Sequence, residues 1–188
     1  MQFTGAQLPA LPRELNRLHR FLWLWMVNEM AGQIQRDATP QTDGASWRDH
    51  LIESPAQIKD LLESTHRIAV LGIKPDPDQP ANYVPEYASR AGYDIVPVPV
   101  YYKELTEMMG KKVYRKLIDV PGDIDMVNVF RRPNDIPPHV DDIIAKKPKS
   151  VWFQLGIRND AAAEKLARAG IDVVQDRCLM VELRRIGK

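Results

Sequence analysis

Between residues 67 and 174 short apolar runs alternate with helix-like segments, and this alternation limits the possible folds more than any other feature of the chain. The first run, Arg67-Ile68-Ala69-Val70-Leu71, stops at Gly72. A polar, proline-broken loop over 73–80 follows, and then a helical pattern over 82–90. Gly92 closes that helix, and a strand is expected over 94–98. The pattern repeats as strand 125–130, helix 136–147, strand 150–154, helix 160–169 and strand 172–174, with a helical tail over 178–185. Residues 111–120 read as mixed, with a short strand or turn at 112–114 and a short helix near 115–119. Strands separated by helices cannot pair as hairpins; they imply a parallel sheet wound on both faces. The strands are short and rich in Val and Ile, as strands covered on both faces are.

Two helices precede this array. Leu11, Leu15, Leu18, Leu22 and Trp25 form a stripe at helical spacing that predicts one long helix over 12–35. Trp23, Leu24, Met26 and Met30 widen its apolar surface. Such a helix either packs on its own domain or forms a homo-oligomer contact. Residues 37–46 read as a loop. Ser54, Pro55 and Gln57 then predict a second helix opened by a capping box. The chain therefore divides into an N-terminal helical extension, 1–53, and an α/β domain, 54–188.

With a net charge of +1, a general nucleic-acid surface is not expected. One cysteine among 188 residues allows no internal disulfide, as in a reducing cytoplasm. The apolar run Phe21–Val27 is much shorter than the roughly 20 residues a membrane span needs. These features predict a cytoplasmic protein with no membrane or nucleic-acid partner.

Ligands of doubly wound sheets bind outside the carboxyl ends of the strands. Cations stand just past those ends: Lys74, Lys103, Arg131 and Arg132, Arg158, and Arg177. Arginine forks recognise phosphates, so this rim suits a polyanion. A dinucleotide fingerprint needs three glycines, and this loop offers Gly72 alone. Asp94 has the right separation for a ribose-binding acid but stands at the start of its strand. The strand exit, Pro97-Val98-Pro99-Val100, offers instead a stiff apolar ledge for an adenine. An NADP-type oxidoreductase is thus a weaker reading, and an interaction protein that kept the fold without a ligand is another. The four histidines are scattered, no metal spacing occurs, and no catalytic residue is nominated. His139 reads as a surface residue. Cys178 reads as a buried structural thiol, the alternative being a mixed disulfide with a thiol ligand.

Several motifs in order resemble the CoA-binding domain family. They are Ile68-Ala69-Val70-Leu71-Gly72, Asn82-Tyr83-Val84-Pro85, Val129-Phe130-Arg131-Arg132-Pro133, Trp152-Phe153-Gln154-Leu155-Gly156-Ile157-Arg158-Asn159 and Asp176-Arg177-Cys178. The resemblance covers roughly residues 60–185 and is to the CoA-binding domain of succinyl-CoA synthetase standing alone. It implies a Rossmann-like fold and a CoA or acyl-CoA ligand; because the phosphorylated histidine and nucleotide-grasping domain that such synthetases need are not found in the sequence, the expectation is binding without catalysis, as a sensor or carrier. It implies that Gly72, Ile73 and Lys74 face the pyrophosphate; Asn82, Tyr83 and Lys103 are further ligand-binding candidates. Pro97, Val98, Pro99 and Val100 would lie along adenine and ribose. Phe130, Arg131, Arg132 and Pro133 would meet the nucleotide and the start of the pantetheine arm. The family commonly has a small residue where this chain has Ile73, and a β-branched side chain there would narrow the cradle.

Overall fold

The computed structural model describes residues 46–188. The helix predicted over 12–35, its oligomer contact and nearly all of the 37–46 loop lie outside the described residues. Among the described residues seven strands are formed: β1 Arg67–Leu71, β2 Asp94–Val98, β3 Glu107–Met108, β4 Lys111–Lys112, β5 Met126–Val129, β6 Ser150–Phe153 and β7 Asp172–Val174. Five α-helices accompany them among the described residues: α1 Pro55–Ser64, α2 Pro80–Arg90, α3 Pro137–Lys146, α4 Asp160–Arg168 and α5 Leu179–Arg185. The main sheet has five strands in the order β2-β1-β5-β6-β7, and all of its pairs are parallel.

Side-chain alternation along each strand builds two apolar layers. Ala69, Leu71, Val127, Val129, Val151 and Phe153 face α3 and α4, where Val140, Ile143 and Leu166 meet them. Ile68, Val70, Met126 and Trp152 face the opposite way, against Ile58 and Leu62 of α1, Val84 and Ala88 of α2, and Leu179 and Leu183 of α5. This is the doubly wound α/β, Rossmann-like architecture that the alternation predicts.

Three local details differ from the sequence reading. The hydroxyl of Ser54 accepts from the Gln57 backbone N–H at 3.2 Å, as a cap should. It donates its own proton to Gln57 Oε1 at 2.8 Å, so Gln57 does not close the box. A reciprocal capping box forms instead between Ser46 and Asp49, where Asp49 Oδ2 accepts from the Ser46 N–H at 2.9 Å. Secondly, residues 107–112 form an antiparallel hairpin through Met109 and Gly110, both at positive φ. Thirdly, the stretch before α1 runs beside β7: Ile52 N–H donates to the Val173 carbonyl at 2.9 Å, and Ile52 is buried. Pro97 sits within β2, which is an edge strand and tolerates the missing donor.

Candidate functional site

The strand order reverses between β1 and β5. The helix after β1 crosses one face of the sheet and the helix after β5 crosses the other, which leaves a crevice between their carboxyl ends. Gly72 sits at its floor with φ +88°, and a Cβ there would stand 2.5 Å from the Phe130 carbonyl oxygen. Only a glycine fits this contact without displacing the neighbouring backbone. The exits of β1 and β5 are thus pressed together, and the cleft opens directly above.

This cleft has a volume of about 420 Å³. It brings together Lys74, Tyr83, Phe130, Arg131, Arg132 and Pro133, all of them named from sequence. Gln79, residues Gln154–Ile157 and Cys178 complete its wall; of these the sequence reading considered a ligand contact for Cys178 alone, as an alternative to a structural thiol. A slightly larger recess, about 450 Å³, lies at the opposite edge of the sheet between α1 and the starts of β6 and β7. Its one lysine, Lys149, is paired with Asp125 at 2.8 Å. The smaller cleft is the better candidate because it combines the switch point with converging cations.

Other predicted residues have different places. The Ile73 side chain is 1% exposed and packs inward with Ile58 and Val84, so it does not narrow the cradle. Asn82 turns back to its own loop, where its Nδ2 donates to the Lys74 carbonyl at 2.7 Å. Lys74 N–H donates to the Ala81 carbonyl at 3.2 Å, and its ammonium lies 3.5 Å from Gln79 Oε1. Pro97, Val98 and Pro99 are buried and Val100 is half-buried; these four do not line the cleft. Lys103 is exposed, and its carbonyl accepts from the Arg115 guanidinium at 2.9 Å. The rim of cations is also smaller than expected. Arg158 pairs with Asp160 at 2.9 Å, while Arg177 pairs with Glu182 at 3.4 Å and donates to the Glu53 carbonyl at 3.0 Å. Both line a separate recess next to β7. Asp94 is at the amino edge, paired with Arg67 at 3.0 Å and with Lys111, which removes it from any ribose.

Arg131 is the most constrained cation of the cleft. Its side chain is 11% exposed, lies 3.5 Å from Asp135, and stacks 5.1 Å from the centroid of the Tyr101 ring. Its buried Nε has no hydrogen-bond partner among the described residues. Such a donor costs free energy unless a ligand satisfies it. The loop that carries it is anchored by Asn159, whose Nδ2 donates to the Pro133 carbonyl at 2.8 Å while its Oδ1 caps α4 through Ala162 N–H at 2.9 Å. Burial, and then the nearby Arg131 charge, hold the His139 imidazole below its ordinary value, against the opposing pull of Asp142 and Asp135. His139 is thus coupled to the cleft and is only partly exposed, unlike the surface histidine expected. Cys178 is likewise half-buried and opens into the cleft, in contrast to the buried thiol expected.

Residues 66–184 match the family described as the CoA binding domain. The chain belongs to that family. The uncharacterized protein YneT of Bacillus subtilis is 34% identical over 128 residues, which span 68% of this chain and 93% of that protein. Among solved structures, a Thermus thermophilus protein is 37% identical with a TM-score of 0.67, covering 71% of this chain and 99% of that one. A hypothetical protein of Pyrococcus horikoshii is 33% identical with a TM-score of 0.64, covering 80% of this chain and 98% of that one. The cleft of this family member fits a CoA by its own chemistry. Among the described residues Arg131 has an unsatisfied donor, a backbone floor excludes any side chain at Gly72, and α2 starts at the wall.

Proposed function

We propose that this domain binds coenzyme A or an acyl-CoA in the crevice between β1 and β5, as a sensor or carrier and without catalysis of its own. The observation that carries the reading is the convergence of Lys74, Arg131 and Arg132 at the switch point of a CoA-binding-family domain, with the Arg131 Nε buried and without a partner among the described residues. Lys74 and the start of α2 would hold the pyrophosphate. Arg131, backed by Asp135 and Tyr101, would supply directed donors to the nucleotide. When bound, the ligand supplies a thiol or thioester at the end of its pantetheine arm. The chain's own residues orient that arm and hold its charged end.

Isothermal titration calorimetry tests this reading. Coenzyme A is expected to bind one per chain, with affinity falling as salt rises. Arg131→Ala removes a charge-assisted contact and is expected to weaken binding about ten- to a hundredfold. The thiol released from acetyl-CoA, followed colorimetrically, should stay at the rate without protein. No heat with CoA, unchanged affinity in Arg131→Ala, or tighter binding of NADPH than of CoA would each refute the proposal.

A further inference from the structure

Arg131 is held from two sides. Asp135, 3.5 Å away, belongs to the same loop, whereas the Tyr101 ring, 5.1 Å away, comes from the segment over 99–106 that joins β2 to β3. Tyr101 is 55% exposed, so packing does not fix its ring. An exposed side chain keeps one place only where the backbone beneath it is immobilised, against the entropy of a free loop.

One side chain supplies that immobilisation. The Tyr114 N–H donates to the Pro97 carbonyl and the Val113 N–H to the Thr106 carbonyl, both at 3.0 Å, which lays the chain leaving β4 across the two ends of the loop. Arg115 comes next and turns its guanidinium into the loop. Its Nη1 donates to the Tyr102 carbonyl at 3.1 Å, and its Nη2 donates to the carbonyls of Lys103, at 2.9 Å, and Leu105. Three carbonyls thus converge on one planar fork, a geometry that a lysine ammonium on its flexible stem does not reproduce.

The same bonds oppose a strained residue. Tyr102 has φ 62°, in the left-handed region that a side chain with a Cβ disfavours. Its relaxation to negative φ would swing the preceding residue, Tyr101, off the Arg131 guanidinium. Strain of this kind persists only where the surroundings hold it, and here it stands two residues from the side chain that meets Lys103 and one from the ring on Arg131.

We infer that Arg115, which is not part of the cleft wall, is a positioning residue for ligand binding: it locks the loop after β2 so that Tyr101 aims Arg131 into the cleft. This role rests on the CoA reading above and adds the device that pre-organises its most constrained cation. Arg115 touches no ligand and acts through Tyr101 alone.

Calorimetric titration of the full chain with CoA tests the role in five forms: wild type, Arg115→Ala, Arg115→Lys, Tyr101→Ala and the double variant Tyr101→Ala with Arg115→Ala. Arg115 and Tyr101 are both exposed, so the substitutions are compatible with folding, and Tyr101→Ala probes the same link with Arg115 intact. Arg115→Ala and Tyr101→Ala should each weaken CoA binding about three- to tenfold, the worth of one cation–π contact. The double variant should bind no more weakly than Tyr101→Ala, because the two changes break one link. Arg115→Lys should bind as weakly as Arg115→Ala, since it keeps the charge and loses the fork. In the ligand-free protein the Arg131 Nε–H proton resonance should move in Arg115→Ala as it does in Tyr101→Ala, through loss of the ring current. Unchanged CoA affinity in Arg115→Ala or in Tyr101→Ala would overturn the role and leave the CoA reading intact. So would additive losses in the double variant, recovery in Arg115→Lys, which would make Arg115 a distant charge, or an Arg131 resonance that stays in place. Absence of CoA binding by the wild type would overturn both.

Discussion

Replacing Gly72 by alanine tests whether the β1 and β5 exits are pressed together as described. Two costs add. A residue with a Cβ in the left-handed region loses about 1–2 kcal/mol. The new methyl would stand 2.5 Å from the Phe130 carbonyl oxygen and 3.1 Å from Arg131 Cδ, and overpacking of this kind costs about 1–3 kcal/mol. The stiffer unfolded chain returns about 0.4–1 kcal/mol. The net destabilisation is therefore about 1–4.6 kcal/mol, which at a urea slope of about 2 kcal/mol per molar moves the midpoint down by about 0.5–2.3 M. Gly92 is the control. It has φ +94°, and a Cβ there meets no atom within 4 Å, so Gly92→Ala bears the backbone cost alone. Urea unfolding of the two variants, with unchanged slopes, isolates the contact as a difference of about 1–3 kcal/mol. Because relief of the clash shifts the Phe130–Arg131 peptide, CoA affinity should fall at least tenfold in Gly72→Ala and stay unchanged in Gly92→Ala. Equal midpoints for the two variants, within about 0.5 kcal/mol, would refute the reasoning.

Asn159→Ala should cost about 1.5–3 kcal/mol in urea, since it removes both the α4 cap and the tie to Pro133. Asn159→Ser restores the cap alone, and CoA affinity should stay reduced because the arginine loop is still untied; recovery to wild type would show the tie to be irrelevant. Stability should also depend on pH through two groups. Burial opposes the charge on the Asp125 carboxyl, but the Lys149 ammonium and the backbone N–H groups of Arg67 and His66 outweigh it and hold the group below its usual 3.8. A depressed acid stabilises the fold above that value and loses its contribution as pH falls through the folded value. Asp125→Asn should therefore flatten the stability profile below about pH 4. The depressed His139 likewise favours the fold above its ordinary 6.5, and this is lost as pH falls from there through the folded value. Anionic CoA beside Arg131 should raise the His139 titration midpoint followed by proton NMR; no movement on CoA addition would separate His139 from the site.

Much of this architecture could be read from the chain because local pattern and tertiary setting agree. β2 and β7 fall where the Val and Ile runs place them, and α2 extends only to Pro80, which suits a first helical position. The hairpin at 107–112 was hidden because Met109-Gly110 replaces the asparagine–glycine or aspartate–glycine pair that announces such turns. The lining of the cleft was legible where a residue's place follows from its strand exit, as with Lys74 and Arg131. It was not legible where direction decides. Ile73 adjoins the glycine yet points into the core, and Pro97 and Val98 finish a buried edge strand instead of continuing as a ledge. Arg158 and Arg177 stand after strands as expected, but nearby carboxylates claim them. Asn159 gave only a helix-cap signal; its bond to Pro133 joins positions 26 residues apart and appears only once β5 and β6 lie side by side.

Amide hydrogen exchange of the full chain with and without saturating coenzyme A tests the central claim most directly. Slowed exchange confined to residues 72–83, 130–135 and 154–157, around the crevice between β1 and β5, is the predicted result. Slowed exchange only around Ser64, Lys149 and Asp172 at the opposite edge of the sheet, or none anywhere, would contradict it.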